Sequence, residues 1–146
     1  MSITPAMKRF LGANKYIVIG SVLTDRSRWD NKVLRWYINH GLPVQPMKPG
    51  SNGGEAEDLP MLPNLNEDLS ETSISIIINP VKGYPILEQL FKDKSRSPHG
   101  VWFQPGAGDS GEIKQFVKDN SLEDRIILGG PCILVSGESV LETLRT

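Results

Sequence analysis

One cysteine in a chain of 146 residues rules out an internal disulfide framework and a cysteine-rich zinc site, and a lone thiol suits a reducing compartment. Histidine is nearly as scarce. His40 and His99 stand far apart in sequence, offering little for a metal or for a Cys-His nucleophile built around Cys132. No apolar run approaches the roughly 18 to 20 residues of a membrane span, and the N-terminus lacks the apolar core of a secretory signal. The cytoplasm is the expected location; the first 24 residues, basic and without an acid, leave a short mitochondrial presequence as the alternative. Paired carboxylates at catalytic spacing and an extended basic face interleaved with aromatics are also missing. Neither acid–base catalysis nor nucleic-acid binding is therefore expected.

What is present is the composition of a globular chain, 38% hydrophobic with a net charge of −1. Residues 1–146 fit one domain, long enough to bury roughly 70% of the extended surface. The charge is unevenly spread: residues 1–48 carry eight Lys or Arg and two Asp, net +6, while residues 49–73 carry six acids and no base, net −6. The acidic stretch, rich in glycine and proline, reads as a functional loop or a solvated surface, with residues 62–69 the best candidate for a short helix. Lys8, Lys15, Lys32 and Arg35 read mostly as the wet faces of helices.

The organising stretch is residues 16–31. A β-branched and aromatic run over 16–19 stops at Gly20, and helical spacing begins about ten residues later, giving a helix over 29–39. At the end of such a strand in an open α/β sheet, a ligand phosphate meets backbone N–H groups and the positive end of a helix. Gly20 lets a ligand approach the backbone closely, and Arg26 and Arg28 lie in the same loop. The plainer alternative is that Gly20 only turns the chain and both arginines are solvated.

Elsewhere, Thr4-Pro5 reads as an N-cap with proline at the first helical position, and Gly12 ends that helix. A second strand over 42–47, interrupted by Pro43 and Pro46, belongs at an edge and finishes on Lys48. Residues 74–78 form the strongest strand, ending at Asn79-Pro80, and a helix is expected to open at Tyr84-Pro85. A fourth strand over 100–104 is ended by Pro105-Gly106, a helix capped by Asp109 or Ser110 follows, and a fifth strand runs over 125–128. Residues 133–135 read as a short further strand and 137–144 as a closing helix. Strands alternating with helices predict a parallel sheet of about five strands covered on both faces, with Gly20, Lys48, Asn79, Gln104 and Cys132 along one edge. Trp29, Trp36 and Trp102 read as packing residues.

The succession Ile17-Val-Ile-Gly-Ser21, Pro46-Met-Lys-Pro49, Ile76-Ile-Ile-Asn-Pro80, Val101-Trp-Phe-Gln-Pro-Gly106 and Gly130-Pro-Cys132 resembles the CoA-binding domain family. These are small single-domain proteins similar to the nucleotide-binding domain of the succinyl-CoA synthetase α subunit. The resemblance covers nearly the whole chain and implies a Rossmann-like sheet that binds coenzyme A or an acyl-CoA. It implies that the Gly20-Ser21-Val22 turn, with Arg26 or Arg28, holds the pyrophosphate and that Lys48 holds the phosphorylated ribose. Asn79, Pro80, Gln104, Pro105, Gly106 and Cys132 would border the adenine and pantetheine. Family members commonly read Gly-Ala-Ser at the first turn and carry an arginine before the late cysteine, where this chain has Gly20-Ser21-Val22 and Pro131. The loop after Ser21 also looks about one residue longer, which leaves the choice between Arg26 and Arg28 open. Nothing corresponds to the second synthetase domain with its phosphorylated histidine, so the resemblance implies binding without a reaction.

The rival ligand is a dinucleotide. NAD sites of this topology use Gly-x-Gly-x-x-Gly and an acid after the second strand, whereas here one glycine and Lys48 stand at those places. NADP is thus the stronger dinucleotide alternative, and an interaction module that has lost its ligand is the third reading. Either a monomer or a homodimer fits.

Overall fold

The computed structural model describes residues 3–51 and 53–145; Met1, Ser2, Asn52 and Thr146 lie outside it. Helix α1 (Pro5–Phe10) starts on Thr4, whose hydroxyl accepts from Met7 N. There follow β1 (Lys15–Gly20), α2 (Trp29–Asn39) and β2 (Val44–Met47), then a small hairpin of β3 (Glu55–Ala56) and β4 (Leu59–Pro60). The chain continues through β5 (Thr72–Ile77), α3 (Pro80–Leu90), β6 (Gly100–Phe103), α4 (Gly111–Asp119), β7 (Ile126–Ile127) and α5 (Ile133–Arg145).

Five strands form a parallel sheet in the order β2-β1-β5-β6-β7. This is the open α/β fold with helices on both faces that the alternation of elements predicts. The proline-interrupted strand is indeed at an edge, because Pro46 has no N–H to give a neighbour on each side. The order reverses beside β1: the chain leaves β1 for the β2 edge and returns on the other side as β5. Such a reversal opens the sheet at the C-terminal ends of the two strands.

Alternate residues of each strand enter two cores. Tyr16, Val18, Trp102 and Ile127 pack with α1, α2 and α5, while Ile17, Ile19, Ile74, Ile76, Val101, Phe103 and Ile126 pack with α3 and α4. Large aromatics crowd the first core: Phe10 meets Trp102 edge to face at 5.4 Å, and Tyr16 lies 5.0 Å from Tyr37. Strand β5 makes room for them with serines. Ser75 Oγ shares a 2.7 Å hydrogen bond with Tyr37 OH, and Ser73 Oγ donates to Phe10 O at 2.7 Å.

Several elements differ from the sequence expectation. Residues 62–69 form no helix; the acidic segment instead folds as the β3–β4 hairpin and irregular chain, tied to the sheet edge by Leu62 N donating to Pro46 O at 2.9 Å. Helix α3 starts at Pro80 rather than Tyr84, since Asn79 Oδ1 accepts from Lys82 N and caps it, and Pro85 falls inside the helix. Residues 133–135 are the first turn of α5, not a strand. Trp36 and Trp102 are buried as packing residues, but Trp29 is 45% exposed at the start of α2. Arg35 is only half solvated, with Nε donating to Asn31 Oδ1 at 2.7 Å.

Candidate functional site

Parallel register brings the ends of β1, β2, β5 and β6 to one edge, so Gly20-Ser21-Val22, Lys48, Asn79-Pro80 and Gln104-Pro105-Gly106 lie along it as expected. Cys132 joins them although it stands five residues beyond β7. Two contacts carry the chain back to the end of β6: Trp102 Nε1 donates to Pro131 O at 2.9 Å, and Ile133 N donates to Gln104 Oε1 at 3.0 Å.

The residues at this edge fall into two groups. Ser21, Val22, Arg26, Arg28, Lys48, Asn79, Pro105 and Gly106 are exposed, whereas Gly20, Gln104 and Cys132 are buried, with Pro80 half-buried between them. Asn79 is already employed as the α3 cap, and Cys132 begins α5 through its carbonyl, which accepts from Ser136 N at 2.9 Å. Gln104 is different. The residue is 1% exposed, its Oε1 is held by Ile133 N, and its Nε2 has no hydrogen-bond partner among the described residues. A buried donor left unpaired costs about 1–3 kcal/mol, so the end of β6 offers a donor in want of an acceptor.

The turn after β1 is occupied by the chain's own acid. Asp30, 2% exposed in the first turn of α2, accepts from Val22 N through Oδ2 and from Asn31 N through Oδ1, both at 2.8 Å. A carboxylate is favourable at a helix N-terminus, where unpaired N–H groups concentrate positive potential. Asn31, fully buried, donates from Nδ2 to Leu23 O at 2.6 Å and to Glu57 Oε2 at 3.0 Å. Arg26 lies 3.5 Å from that same Glu57 oxygen, and Arg28 lies 3.8 Å from Asp25 Oδ2. Hydrogen bonds from Ser27 hold the Asp25 carboxyl below the usual carboxylate range. Lys48, by contrast, has no ion-pair partner among the described residues.

The sequence reading passes over Asp30, Asn31 and Glu57. An acid in the first turn of a helix is a visible signal, but its aim at the preceding turn is a tertiary fact. The two histidines are far from this edge. His40 ends α2, stacked on Trp36 at 4.2 Å, and His99 precedes β6, so both sit at the opposite edge of the sheet from Cys132. At that opposite edge a cleft of about 390 Å³ opens between Tyr16, Ile38, Leu42, Val44 and Leu59; it contains none of the residues the resemblance implies. Among the described residues no helix is long and apolar enough to cross a membrane, and no group of His, Cys, Asp or Glu is arranged to hold a metal.

Comparison with solved structures establishes the fold. Prb, the PH1109 protein redesigned for binding, matches with a TM-score of 0.72 at 19% identity, covering 96% of this chain and 94% of that one. A hypothetical protein from Pyrococcus horikoshii OT3 gives 0.71 at 20% identity, with 95% and 93% covered. A conserved hypothetical protein from Pyrococcus furiosus gives 0.61 at 24%, with 84% and 98% covered. No curated protein matches the chain. The sequence itself matches the CoA binding domain over residues 14–138, a span that takes in every turn at the C-terminal edge, and the chain therefore belongs to the CoA-binding domain family.

Proposed function

We propose that the protein binds coenzyme A, free or acylated, along the C-terminal edge of the sheet and catalyses no reaction of its own. Gln104 carries this reading. Its unpaired Nε2 is buried at the end of β6 beside the first turn of α5, among the turns that the family resemblance expects to border the adenine and pantetheine, and an amide carbonyl of the pantetheine arm would supply the missing acceptor. Phosphates would stand at the other end of the edge, on the exposed basic groups Arg28 and Lys48 and on Arg26 once freed from Glu57. The Val22 amide is already taken by Asp30, so charge on the rim has to do more here than backbone donors in the turn.

Two placements support binding without catalysis. Cys132 is buried, and both histidines lie at the far edge of the sheet, so the thiol has no imidazole within reach to activate it. The carboxylates near the turn, Asp25, Asp30 and Glu57, are engaged in hydrogen bonds that hold the loop.

Thermal melting with CoA, NADP and NAD tests the ligand. A ligand bound only by the native state at about 100 times its dissociation constant stabilises by roughly 2.7 kcal/mol, several degrees for a domain of this size. CoA is expected to give that shift. A shift with NADP or NAD and none with CoA overturns the proposal, and turnover of an acyl-CoA lost on Cys132→Ser overturns its non-catalytic part.

A further inference from the structure

The opposite charges of neighbouring segments meet in the fold. Of three ion pairs among the described residues, two join the basic residues 1–48 to the acidic residues 49–73: Lys15 with Glu67 at 3.3 Å, and Arg26 with Glu57 at 3.5 Å. The second lies at the candidate site. Glu57 and Asp58 form the two-residue tip of the β3–β4 hairpin with φ of 49° and 66°, left-handed values that glycine or asparagine usually supplies in such turns. An unfavourable conformation for glutamate is thus kept at the point where its carboxylate reaches Arg26 and Asn31. Asn31 passes the contact on: Arg35 Nε donates to its Oδ1, and Arg35 Nη2 donates at 2.9 Å to the carbonyl of Arg26. One carboxylate therefore closes a ring of contacts around the loop between β1 and α2.

The geometry points to Glu57 as a carboxylate latch on this loop: a phosphate-bearing ligand seated at Arg26 must displace Glu57, and its binding opens the β3–β4 hairpin. The inference rests on the reading that the loop receives ligand phosphates. The ligand and Glu57 compete for the same guanidinium, so the latch sets the affinity for anions and couples their binding to the edge of β2, where Leu62 N holds the end of the hairpin segment to Pro46 O.

Calorimetry with inorganic pyrophosphate and with CoA, on the parent and on Glu57→Gln, tests it. Glutamine keeps an acceptor for Asn31 and loses the charge facing Arg26, and a melting curve verifies that the variant folds. The variant is expected to bind both probes about two- to fivefold more tightly than the parent, the range of a part-exposed charge contact. In the parent, hydrogen exchange at Met61 and Leu62 amides is expected to speed up when CoA is saturating. Equal CoA affinity in parent and variant, or unchanged exchange, overturns the latch and leaves the CoA reading standing. Tighter pyrophosphate binding by a variant that ignores CoA supports the latch and overturns the CoA reading. Binding of neither probe by either protein overturns both.

Discussion

The carboxylate of Asp30 lies directly over Gly20: a Cβ added at Gly20 would stand 2.4 Å from Asp30 Oδ2 and 2.6 Å from Asp30 Cβ. The glycine that marks the first turn is thus demanded by the chain's own side chain before any ligand is considered. Asp30 pins the turn by accepting from Val22 N, and it places a negative charge at the helix end where the fold would otherwise receive a phosphate. On the proposed reading, ligand phosphates would therefore stand farther out, toward Arg26, Arg28 and Lys48.

Gly20→Ala is expected to destabilise the protein by about 1–3 kcal/mol, as overpacking does. Asp30→Ala leaves the Val22 amide without its acceptor and is expected to cost a similar amount, about 1–3 kcal/mol. The two losses should not add, because cutting back Asp30 makes room for the methyl group at position 20. Urea unfolding of the parent, both single variants and the double variant measures the coupling. Additive losses would mean that Asp30 does not dictate Gly20.

Tyr37 and Ser75 form a buried hydroxyl pair between α2 and β5. Tyr37→Phe alone orphans Ser75 Oγ and is expected to cost about 1–2 kcal/mol, whereas adding Ser75→Ala should recover much of it, since both polar groups then leave the core together. Burial also raises both phenols: Tyr16 to about 12, and Tyr37 well above its ordinary 10.0. Above pH 10 the unfolded chain releases these protons first, so stability falls with rising pH, and Tyr37→Phe should make that fall shallower.

His99 titrates in the other direction. Desolvation and the nearby positive charges of Arg9 and Arg125 lower its pKa from the ordinary 6.5, so below that pH the unfolded chain binds the proton more readily than the native one. Stability is expected to drop as pH falls from 6.5 toward the native value, and His99→Gln should flatten that part of the melting-temperature profile. Asp25, Asp68 and Asp93, each lowered by hydrogen bonds from a serine two residues on, act in a separate window below their ordinary 3.8. An unchanged slope between pH 6.5 and 5 in the variant would remove His99 from the acid response.

How far the sequence foretells this molecule depends on how local the cause is. Helix α2 has the bounds expected of it because its apolar spacing and the His40-Gly41 stop lie within it or next to it. The edge position of β2 follows from Pro43 and Pro46 in the same way. The start of α3 carries a cap signal too, Asn79-Pro80, of the same type as Thr4-Pro5; the second proline, Pro85, obscures it. Residues 133–135 look like a strand because they are branched and apolar, and they turn helical where Gln104, 29 positions earlier, takes the amide of Ile133. The hairpin at 55–60 has strands of two residues, too short for any periodicity, and the Glu57–Asn31 bond joins residues 26 apart. The line of turns at the site was therefore visible, and the acids that fill it were not.

Lys48 separates a phosphate site from a solvated lysine. It is exposed just past the end of β2, beside β1 and its turn, and no carboxylate among the described residues pairs with it. If it meets the 3′-phosphate of CoA, Lys48→Glu exchanges attraction for repulsion and should weaken CoA by about tenfold at low salt. Dephospho-CoA lacks that phosphate and should bind parent and variant alike, which controls for a distorted site, since distortion would weaken both ligands together. Added salt should narrow the gap for CoA, because the interaction of exposed charges is screened over about 8–10 Å near physiological ionic strength. Calorimetry across three salt concentrations distinguishes the cases. Equal losses for CoA and dephospho-CoA in a variant that melts like the parent would show that Lys48 does not read the 3′-phosphate, and would shift that role to the arginines of the β1–α2 loop.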